Sequence, residues 1–495
     1  MRPSERTGCC GNVNRRMFLA DCGMGFTGLV LGAMFERHGI VRAAPPAIWT
    51  PPDGKPHFAP KAKSVIWFFM IGGVSHMDTF DPKPALNKYA GKKISETPYR
   101  GTLDNPNIKK NLREMVVGLH KVHPEIYPMQ VGYRKWGKSG IEVSDWWPNV
   151  GECVDDLAIV RSMWTTDNNH GAQLQFHTGR HVLEGHFPSI GSWVHYGLGS
   201  LNDNLPQFVV LGEPIASCCG GVGAHGASYL GPRHGGVRLD ANPESPLPFA
   251  SPGVDIYKEE QEQEFTLLND FNKLAGVEYP NDSTTEARIK SYELAFRMQT
   301  AVPEIFRLDQ ENESIQEMYG LDQKVTEPFG KVCLTARRLV EKGVRFIQVF
   351  HGQNNGAGSW DAHSNLKKGH TDLCAQVDKP IAGLLRDLKQ RGLLEETLVV
   401  LGTEFGRTPG AQGANGRDHH PYGFSVCMAG GGLKGGIAHG ATDELGFHAV
   451  EHRHYVTDIH ATVLKQMGLD PHRLEVPGRK RLEIDFGHPI EAIIA

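Results

Sequence analysis

Short apolar segments alternate with longer amphipathic ones along most of this chain. Five segments are too short for helices and are rich in β-branched or aromatic residues, which is typical of buried strands. They are Val65–Ile71, Leu157–Met163, Phe208–Leu211, Arg345–Phe350 and Thr397–Leu401. Over residues 372–394 apolar side chains recur at every third or fourth position, which predicts a helix with a kink at Pro380. The alternation predicts an α/β fold with a doubly wound, mostly parallel central sheet and helices on both faces.

The same pattern suggests how the chain is divided. A Pro-rich stretch at residues 45–63 is predicted to be an extended linker, and one α/β domain is predicted over residues 64–495. Within that domain, residues 241–331 are more polar and have helical spacing. We interpret this part as a helical insertion.

The N-terminus has the pattern of a twin-arginine signal peptide. Arg15 and Arg16 precede a glycine-rich, weakly apolar run, and small residues at Val41–Ala44 offer a cleavage site. Residues 1–44 are therefore predicted to direct export by the twin-arginine translocase to the periplasm or beyond. A retained membrane anchor is the alternative, but the run contains Asp21 and four glycines, which suits a cleaved signal better and predicts no stable membrane span after cleavage.

Composition excludes one class of function, nucleic-acid binding, and makes histidine the residue type to search for metal ligands. The net charge of -4 gives no basic surface for nucleic acid, so a nucleic-acid partner is not expected. The chain contains 24 histidines, and imidazole is the commonest metal ligand in proteins. Its nine cysteines include no Cys-x-x-Cys pair. The adjacent Cys218 and Cys219 remain open to two interpretations, free thiols or a strained disulfide.

Histidines and carboxylates follow four of the predicted strands. They include His76 and Asp78 after the first strand, His170 after the second, Asp361 and His363 after the fourth, and Glu404 after the fifth; Asp418, His419 and His420 follow in a predicted loop. Because the carboxyl ends of parallel strands meet at one edge of a sheet, these side chains are expected to converge there. Mixed nitrogen and oxygen ligands suit a divalent zinc, manganese or iron ion.

Longer motifs carry a family resemblance. They are Gly72–Lys83, Thr178-Gly179, Gly191–Val194, Trp360–Asn365, Glu404–Pro409, Gly416–Pro421 and Asp458–Thr462, together with the twin-arginine signal. These motifs resemble the bacterial domain-of-unknown-function 1501 family and, more distantly, the alkaline phosphatase and sulfatase superfamily. The resemblance implies that superfamily's fold, with metal ligands at the strand ends, and hydrolysis of phosphate or sulfate esters.

The chain also departs from the sulfatase pattern. At the spacing of the sulfatase Cys-x-Pro-Ser-Arg motif, Asn169 occupies the nucleophile position and Gln173 the arginine position. Gly72 and Gly73 stand where an Asp-Asp pair would hold the metal. Formylglycine chemistry is therefore not expected, and the metal must be held by other residues.

The candidate site residues follow from these considerations. The candidate metal ligands are His76, Asp78, Asp361, His363, Glu404, Asp418, His419 and His420. The candidate catalytic residues are His170 as a base or acid, Arg407 or Arg180 as an oxyanion clamp, and Thr166 as a nucleophile, although metal-activated water is preferred to Thr166.

Structural roles compete with several of these assignments. Asp361 is also placed to cap a helix, Arg407 to pair with Glu404, and Asp418 to orient His420. Two functions are compatible with the sequence. The first is an exported, metal-dependent hydrolase of a small-molecule or glycan ester. The second is a non-catalytic exported protein that binds a glycan or a protein partner.

Overall fold

The computed structural model of the protein describes residues 52–104, 123–240, 257–278, 302–479 and 481–495, with a few positions between 289 and 298. The predicted signal peptide and the first part of the predicted linker lie outside the described residues. The described residues from 52 onward belong to a single compact unit. The later part of the predicted linker packs on this unit, since the backbone amides of His57 and Lys61 donate to the carbonyl oxygens of Gly468 and Gln466.

The strands are numbered in chain order. They are β1 (Ser64–Met70), β2 (Tyr133–Trp136), β3 (Ile141–Ser144), β4 (Leu157–Trp164), β5 (Phe208–Leu211), β6 (Val237–Leu239), β7 (Phe346–His351), β8 (Thr397–Gly402), β9 (Gly406–Gln412), β10 (Gly416–His420), β11 (Phe424–Ala429), β12 (Ile437–His439), β13 (Ala441–Thr442), β14 (Ala449–Glu451) and β15 (His454–Tyr455).

The α-helices are numbered in the same way. They are α1 (Pro84–Lys88), α2 (Pro148–Glu152), α3 (Gly171–Thr178), α4 (Ile190–Leu198), α5 (Lys258–Glu278), α6 (Glu313–Met318), α7 (Glu327–Glu341), α8 (Leu366–Gln390), α9 (Val456–Gln466) and α10 (Glu483–Phe486). Helix α8 contains residues 372–390 of the amphipathic stretch predicted over residues 372–394, and it continues through Pro380.

The central sheet is mostly parallel, as predicted. Its strand order is β12-β4-β11-β8-β1-β7-β5-β6, and β15 also pairs with β4. β1 lies parallel to β7 and β8, and β5 lies parallel to β6 and β7. β11 runs antiparallel to both of its neighbours, β4 and β8. The carboxyl ends of β1, β4, β7 and β8 therefore lie at the same edge.

Each face of the sheet carries its own core of helices. Along β1, Ile66 and Phe68 pack into one hydrophobic cluster with side chains of α7 and α8. The alternate residues Val65 and Trp67 pack into a second cluster with side chains of α3, α4 and α9. Because neighbouring side chains of a strand point to opposite faces, a strand that is apolar throughout requires a cover on both sides.

One predicted loop is in fact a strand. Residues 416–420 form β10, which pairs antiparallel with β9 and carries a register shift between Arg417 and His419. The prediction was wrong here because the polar residues of this segment carry no apolar alternation. In the part of the chain that the structure describes, no helix is long and apolar enough to span a membrane.

Candidate metal centre

Four of the predicted site residues converge at the carboxyl edge of the sheet. His170 follows β4, Asp361 and His363 lie between β7 and α8, and His419 lies in β10. One potential ligand atom from each of the four lies within 4.8 Å of the others, close enough for one ion to contact all of them. The structure thus contains a His/Asp cluster that could bind a metal ion.

The three histidines present the same ring nitrogen to the centre of the cluster. Their Nδ1 atoms contact protein oxygens, namely Gln412 Oε1 for His363, Glu404 Oε1 at 3.0 Å for His170, and the Asn168 carbonyl at 2.9 Å for His419. Because these oxygens accept hydrogen bonds, each neutral ring carries its proton on Nδ1 and a lone pair on Nε2. The tautomers are assigned from these partners.

The Nε2 atoms all face the carboxylate of Asp361. Asp361 Oδ1 lies 3.1 Å from His363 Nε2 and 3.2 Å from His419 Nε2, and Oδ2 lies 3.3 Å from His170 Nε2. The Nε2 atoms of His363 and His419 are 2.8 Å apart. In the neutral tautomers, lone pairs would face one another and an anion, which is repulsive unless a cation lies between them.

The donor set fits a divalent metal ion. Three imidazole nitrogens and one carboxylate oxygen are ligands that suit zinc, manganese or iron. His170 Nε2 is buried, and among the described residues it faces no polar group beyond the other atoms of the cluster, of which Asp361 Oδ2 lies 3.3 Å away. The side chain of His363 is 34% exposed, whereas that of His419 is 3% exposed. Solvent therefore reaches the cluster from the His363 side.

Without an ion, protonation must relieve the same repulsion. Burial disfavours the charged form of His170, but hydrogen bonds to Asp361 and Glu404 outweigh this and raise its pKa to about 9. Burial likewise opposes ionisation of Asp361, but the hydrogen bonds from His170, His363 and His419 bring its pKa well below the usual value. Burial lowers the pKa of His419 to about 4. The pKa of His363 is also raised, chiefly by its hydrogen bond to Asp361. Without an ion, the cluster therefore favours the protonated forms of His170 and His363 and the neutral form of His419.

Glu404 supports the cluster from behind. It is fully buried, and its carboxylate accepts hydrogen bonds from the amide of Gly72, the side chain of Gln173 and the hydroxyl of Thr403, as well as from His170. It therefore fixes the ring of His170 and is itself fixed by three donors. In this structure its role is to orient a ligand, an arrangement common around metal-binding histidines.

The turn after β1 approaches the cluster too closely for a side chain. Gly72 has φ +126°, and a Cβ at this position would lie 2.4 Å from the amide nitrogen of Asp361. Any other residue would displace the backbone that carries Asp361. The glycine that replaces an aspartate of the sulfatase pattern therefore permits the close contact between the two loops.

Both predicted arginine clamps are already occupied by protein groups. Arg407 is fully buried and donates to the carbonyl oxygens of Gly72, Gly73 and Trp360, and to Asp361 Oδ1 at 2.9 Å. Arg180 pairs with Asp485 and Glu184. Arg407 thus binds Asp361, whereas the sequence had suggested Glu404 as its structural partner.

The remaining predicted residues have other partners. Asp78 accepts hydrogen bonds from Ser75 Oγ at 2.6 Å and Gln130 N at 2.7 Å, and it pairs with Arg417 at 3.0 Å. His76 Nε2 lies 2.8 Å from the carbonyl oxygen of Gly446, and burial lowers its pKa to about 4. The structure does not bring Asp78 or His76 into the four-residue cluster.

Three further candidates also lie outside the four-residue cluster. His420 is buried, and its Nε2 contacts the carbonyl oxygen of Phe447. Thr166 accepts a hydrogen bond from Gln175 at 2.8 Å. Asp418 lies at the periphery of the cluster, with one carboxylate oxygen 3.6 Å from His363 Nδ1 and the other 3.2 Å from His123 Nε2.

Two contributors were not predicted. Gln412, in β9, orients His363, and the carbonyl oxygen of Asn168 orients His419. A backbone carbonyl leaves no trace in the sequence, and the half-buried glutamine at the end of β9 has no distinctive spacing. Asp361 does not cap α8 either, because the N-cap position of that helix is Asn365.

The fold and the cluster define an α/β protein with a candidate metal centre at the carboxyl edge of its sheet. The chain belongs to the family described as "Protein of unknown function (DUF1501)", which matches residues 62–494. No curated protein matches the chain.

Solved structures show distant similarity. The sulfatase PsFucS1 from Pseudoalteromonas sp. has 13% identity and a TM-score of 0.32, over 70% of this chain and 66% of that one, just under two thirds of the sulfatase's length. The alkaline phosphatase from the Antarctic bacterium TAB5 has 11% identity and a TM-score of 0.33, over 83% and 99% of the two chains. The lipoteichoic acid synthase LtaP from Listeria monocytogenes has 7% identity and a TM-score of 0.36, over 88% and 79%.

Proposed function

We propose that this protein is an exported, metal-dependent hydrolase of phosphate or sulfate esters that works without a formylglycine nucleophile. The observation that carries the proposal is the convergence of three imidazole Nε2 atoms and one carboxylate at a solvent-accessible edge of the sheet. The choice of ester class rests on the resemblance of the sequence motifs to the alkaline phosphatase and sulfatase superfamily.

The cluster residues would hold the ion and prepare its surroundings. A zinc, manganese or iron ion bound by His170, Asp361, His363 and His419 would polarise an ester oxygen and acidify a coordinated water. Glu404 holds His170 in the tautomer that leaves Nε2 free to bind. The partly exposed face of His363 is the side from which a substrate would approach.

The arginines contribute in a different way from that expected. The guanidinium of Arg407 fixes Asp361 and the turn after β1, so it acts as a positioning residue. The charge of an anionic ester would then be met chiefly by the ion.

The side chain of Asn169, at the sulfatase nucleophile position, accepts a hydrogen bond from the amide of His170 at 2.8 Å. This role is consistent with hydrolysis by water.

One observation favours the second candidate, a non-catalytic binding protein. The guanidinium groups of Arg407 and Arg180 are both engaged with protein oxygens. A catalytic site for anionic esters commonly keeps such a group for the transition state. On this alternative the metal centre stabilises the loops, and a glycan or protein partner binds nearby.

Elemental analysis of the purified full chain tests the metal centre first. We expect close to one zinc, manganese or iron ion per chain. The ion should be lost in His363→Ala and in His419→Ala, because each removes a ligand. His186→Ala, at an exposed histidine outside the cluster, is the matched control and should keep the metal. Folded protein that carries no metal and takes up none on addition would refute the proposal.

An ester screen then separates the two functions. Phosphate and sulfate monoesters are incubated with metal-loaded protein, chelated protein and His363→Ala. Turnover that requires the metal and is lost in the variant supports hydrolysis. A stoichiometric metal without turnover of either ester class would leave the binding protein as the better account.

The proposal of export rests on the sequence pattern and has its own test. Residues 1–44 are fused to a folded reporter, and Arg15 and Arg16 are replaced by lysine in a matched control. We expect the reporter outside the cytoplasm only when both arginines are present. Equal export of the two fusions would remove the twin-arginine assignment.

A further inference from the structure

Two neighbouring cysteines lie on the loop that follows β5. Cys218 is exposed and Cys219 is buried, and their sulfur atoms are 3.0 Å apart. This separation is about 1 Å longer than a disulfide bond. The two thiols therefore need only a small rearrangement to bond to each other.

This loop borders a cleft that it shares with the loop after β7. The cleft has a volume of about 560 Å³ and is lined by Cys218 and its neighbours and by Gln353 and Asn355. The last two precede Asp361 on the loop after β7. The side chain of Gln353 donates to the carbonyl oxygen of Pro214 and so ties the two loops together.

Glycines hold the cysteine loop against the helix that begins after His170. Gly220 has φ +118°, and a Cβ there would lie 2.7 Å from Cβ of Leu174 in α3. The loop therefore has little room to separate the two thiols. Small molecules in the cleft can reach Cys218, whereas Cys219 is 3% exposed.

We propose that Cys218 and Cys219 are a thiol modification site that a small-molecule disulfide converts to a reversible vicinal disulfide. The thiolate of Cys218 attacks the reagent, forms a mixed disulfide and releases one thiol of the reagent. The thiolate of Cys219 then attacks the Cys218 sulfur and releases the second thiol. The protein loses two protons and two electrons, and the reagent disulfide is reduced to two thiols.

The surroundings assign different roles to the two sulfurs. Burial raises the pKa of Cys219, and its hydrogen bond to Cys218 and the nearby carboxylates of Glu404 and Asp361 act in the same direction. Cys219 is therefore a poor first nucleophile, and it becomes effective only when a mixed disulfide is placed next to it. Exposure alone makes Cys218 the first to react.

The geometry of adjacent cysteines explains why the bridge is reversible. Neighbouring Cα atoms are about 3.8 Å apart across a trans peptide, below the roughly 4.4–6.8 Å usual for disulfides. Such a bridge is more easily reduced than an ordinary one. The other described cysteines are Cys153, Cys333, Cys374 and Cys427, all of them buried, so they serve as unreactive internal standards.

Mass spectrometry of the full chain treated with oxidised glutathione tests the proposal. The tryptic peptide of residues 181–233 contains both cysteines and no other. We expect this peptide to become lighter by two hydrogen atoms, to lose both alkylatable thiols, and to regain them after treatment with a dithiol reductant. The peptides that carry the four buried cysteines should remain unchanged.

Two single variants test the order of the steps. Cys219→Ser should retain glutathione on Cys218, because the second thiol is missing, and Cys218→Ser should stay unmodified. The proposal is overturned if the wild-type peptide keeps two free thiols or if glutathione remains on Cys218 as the final product. Equal reaction of Cys218→Ser and the wild type would also overturn it. The peptide masses and thiol counts measured here do not depend on a metal ion or on ester hydrolysis.

Discussion

The charge of His170 should depend on whether a metal ion is bound. In the structure its Nε2 lies 3.3 Å from Asp361 and its Nδ1 lies 3.0 Å from Glu404, and these two hydrogen bonds outweigh burial and raise its pKa to about 9. A bound cation needs the Nε2 lone pair, so the ring must then be neutral. Removal of the metal with a chelator is therefore expected to place a proton on His170.

The structure gives the size and the sign of the effect on stability. The pKa rises from 6.5 to about 9 on folding. At about 1.4 kcal/mol per pH unit, this corresponds to roughly 3 kcal/mol at most. A raised pKa stabilises the folded state fully below pH 6.5, and this stabilisation is lost as the pH rises through about 9. Folded proteins usually have a free energy of unfolding of about 5–15 kcal/mol, so this loss would be a large part of the total.

Denaturant unfolding between about pH 6 and about pH 10 measures this contribution. Wild type is compared with His170→Gln, both as chelated and as zinc-loaded protein, because the variant cannot be protonated. In chelated protein, the difference in free energy of unfolding between wild type and variant should shift by roughly 3 kcal/mol across this range, to the disadvantage of the wild type at high pH. In zinc-loaded protein the shift should be absent.

Two outcomes would refute this reasoning. A constant difference between chelated wild type and variant over the whole range would mean that His170 is not protonated between the two carboxylates. The same pH dependence with and without zinc would mean that the ion does not bind at Nε2 of His170. Titration of the ring carbon signals of His170 by NMR gives the pKa directly and separates it from other groups.

Further predictions concern the surroundings of the cluster. Glu404→Gln should weaken metal binding about 10–100-fold in competition with a chelator, because the carboxylate orients His170. Gly72→Ala should reduce metal content and lower the unfolding temperature, since its Cβ would lie 2.4 Å from the Asp361 amide, whereas Gly101→Ala meets no atom within 4 Å and should change neither. Arg337→Ala should cost about 1–3 kcal/mol in denaturant unfolding, because it removes one of the two arginines that pair with the buried carboxylate of Asp387 and leaves Arg391 and Tyr319 to hold it, while the folded fraction keeps its metal.

The convergence of the loops could be predicted because it follows from strand direction. Once β1, β4, β7 and β8 are parallel, the residues after each of them must lie at one edge. This is why His170, Asp361 and His363 were expected near each other although 191 residues separate Asp361 from His170. The antiparallel β11 between β4 and β8 was not predicted, since apolar content does not encode the direction of a strand.

Proximity to a strand end was not enough to identify the residues of the cluster. His76 follows β1 as expected, but Gly72 and Gly73 both have positive φ and redirect the chain before His76 is reached. The adjacent His419 and His420 could not be separated while their segment was interpreted as a loop. In β10 their side chains diverge, and only His419 faces Asp361 while His420 contacts Phe447.

The hydrogen bonds made by the Nδ1 atoms of the three histidines decide whether the cluster can bind a cation. The acceptors of these hydrogen bonds are distant in sequence from the histidines. If Glu404, Gln412 and the Asn168 carbonyl did not accept hydrogen bonds, the rings could reverse their tautomers and donate from Nε2 to Asp361. The site would then be a satisfied network of neutral hydrogen bonds with no need for a cation. With these acceptors fixed, the Nε2 lone pairs point inward, and only a metal ion or added protons can balance them. The side-chain supports are therefore as diagnostic of a metal centre as the ligands, and Glu404 and Gln412 are the positions where substitution should separate metal affinity from folding.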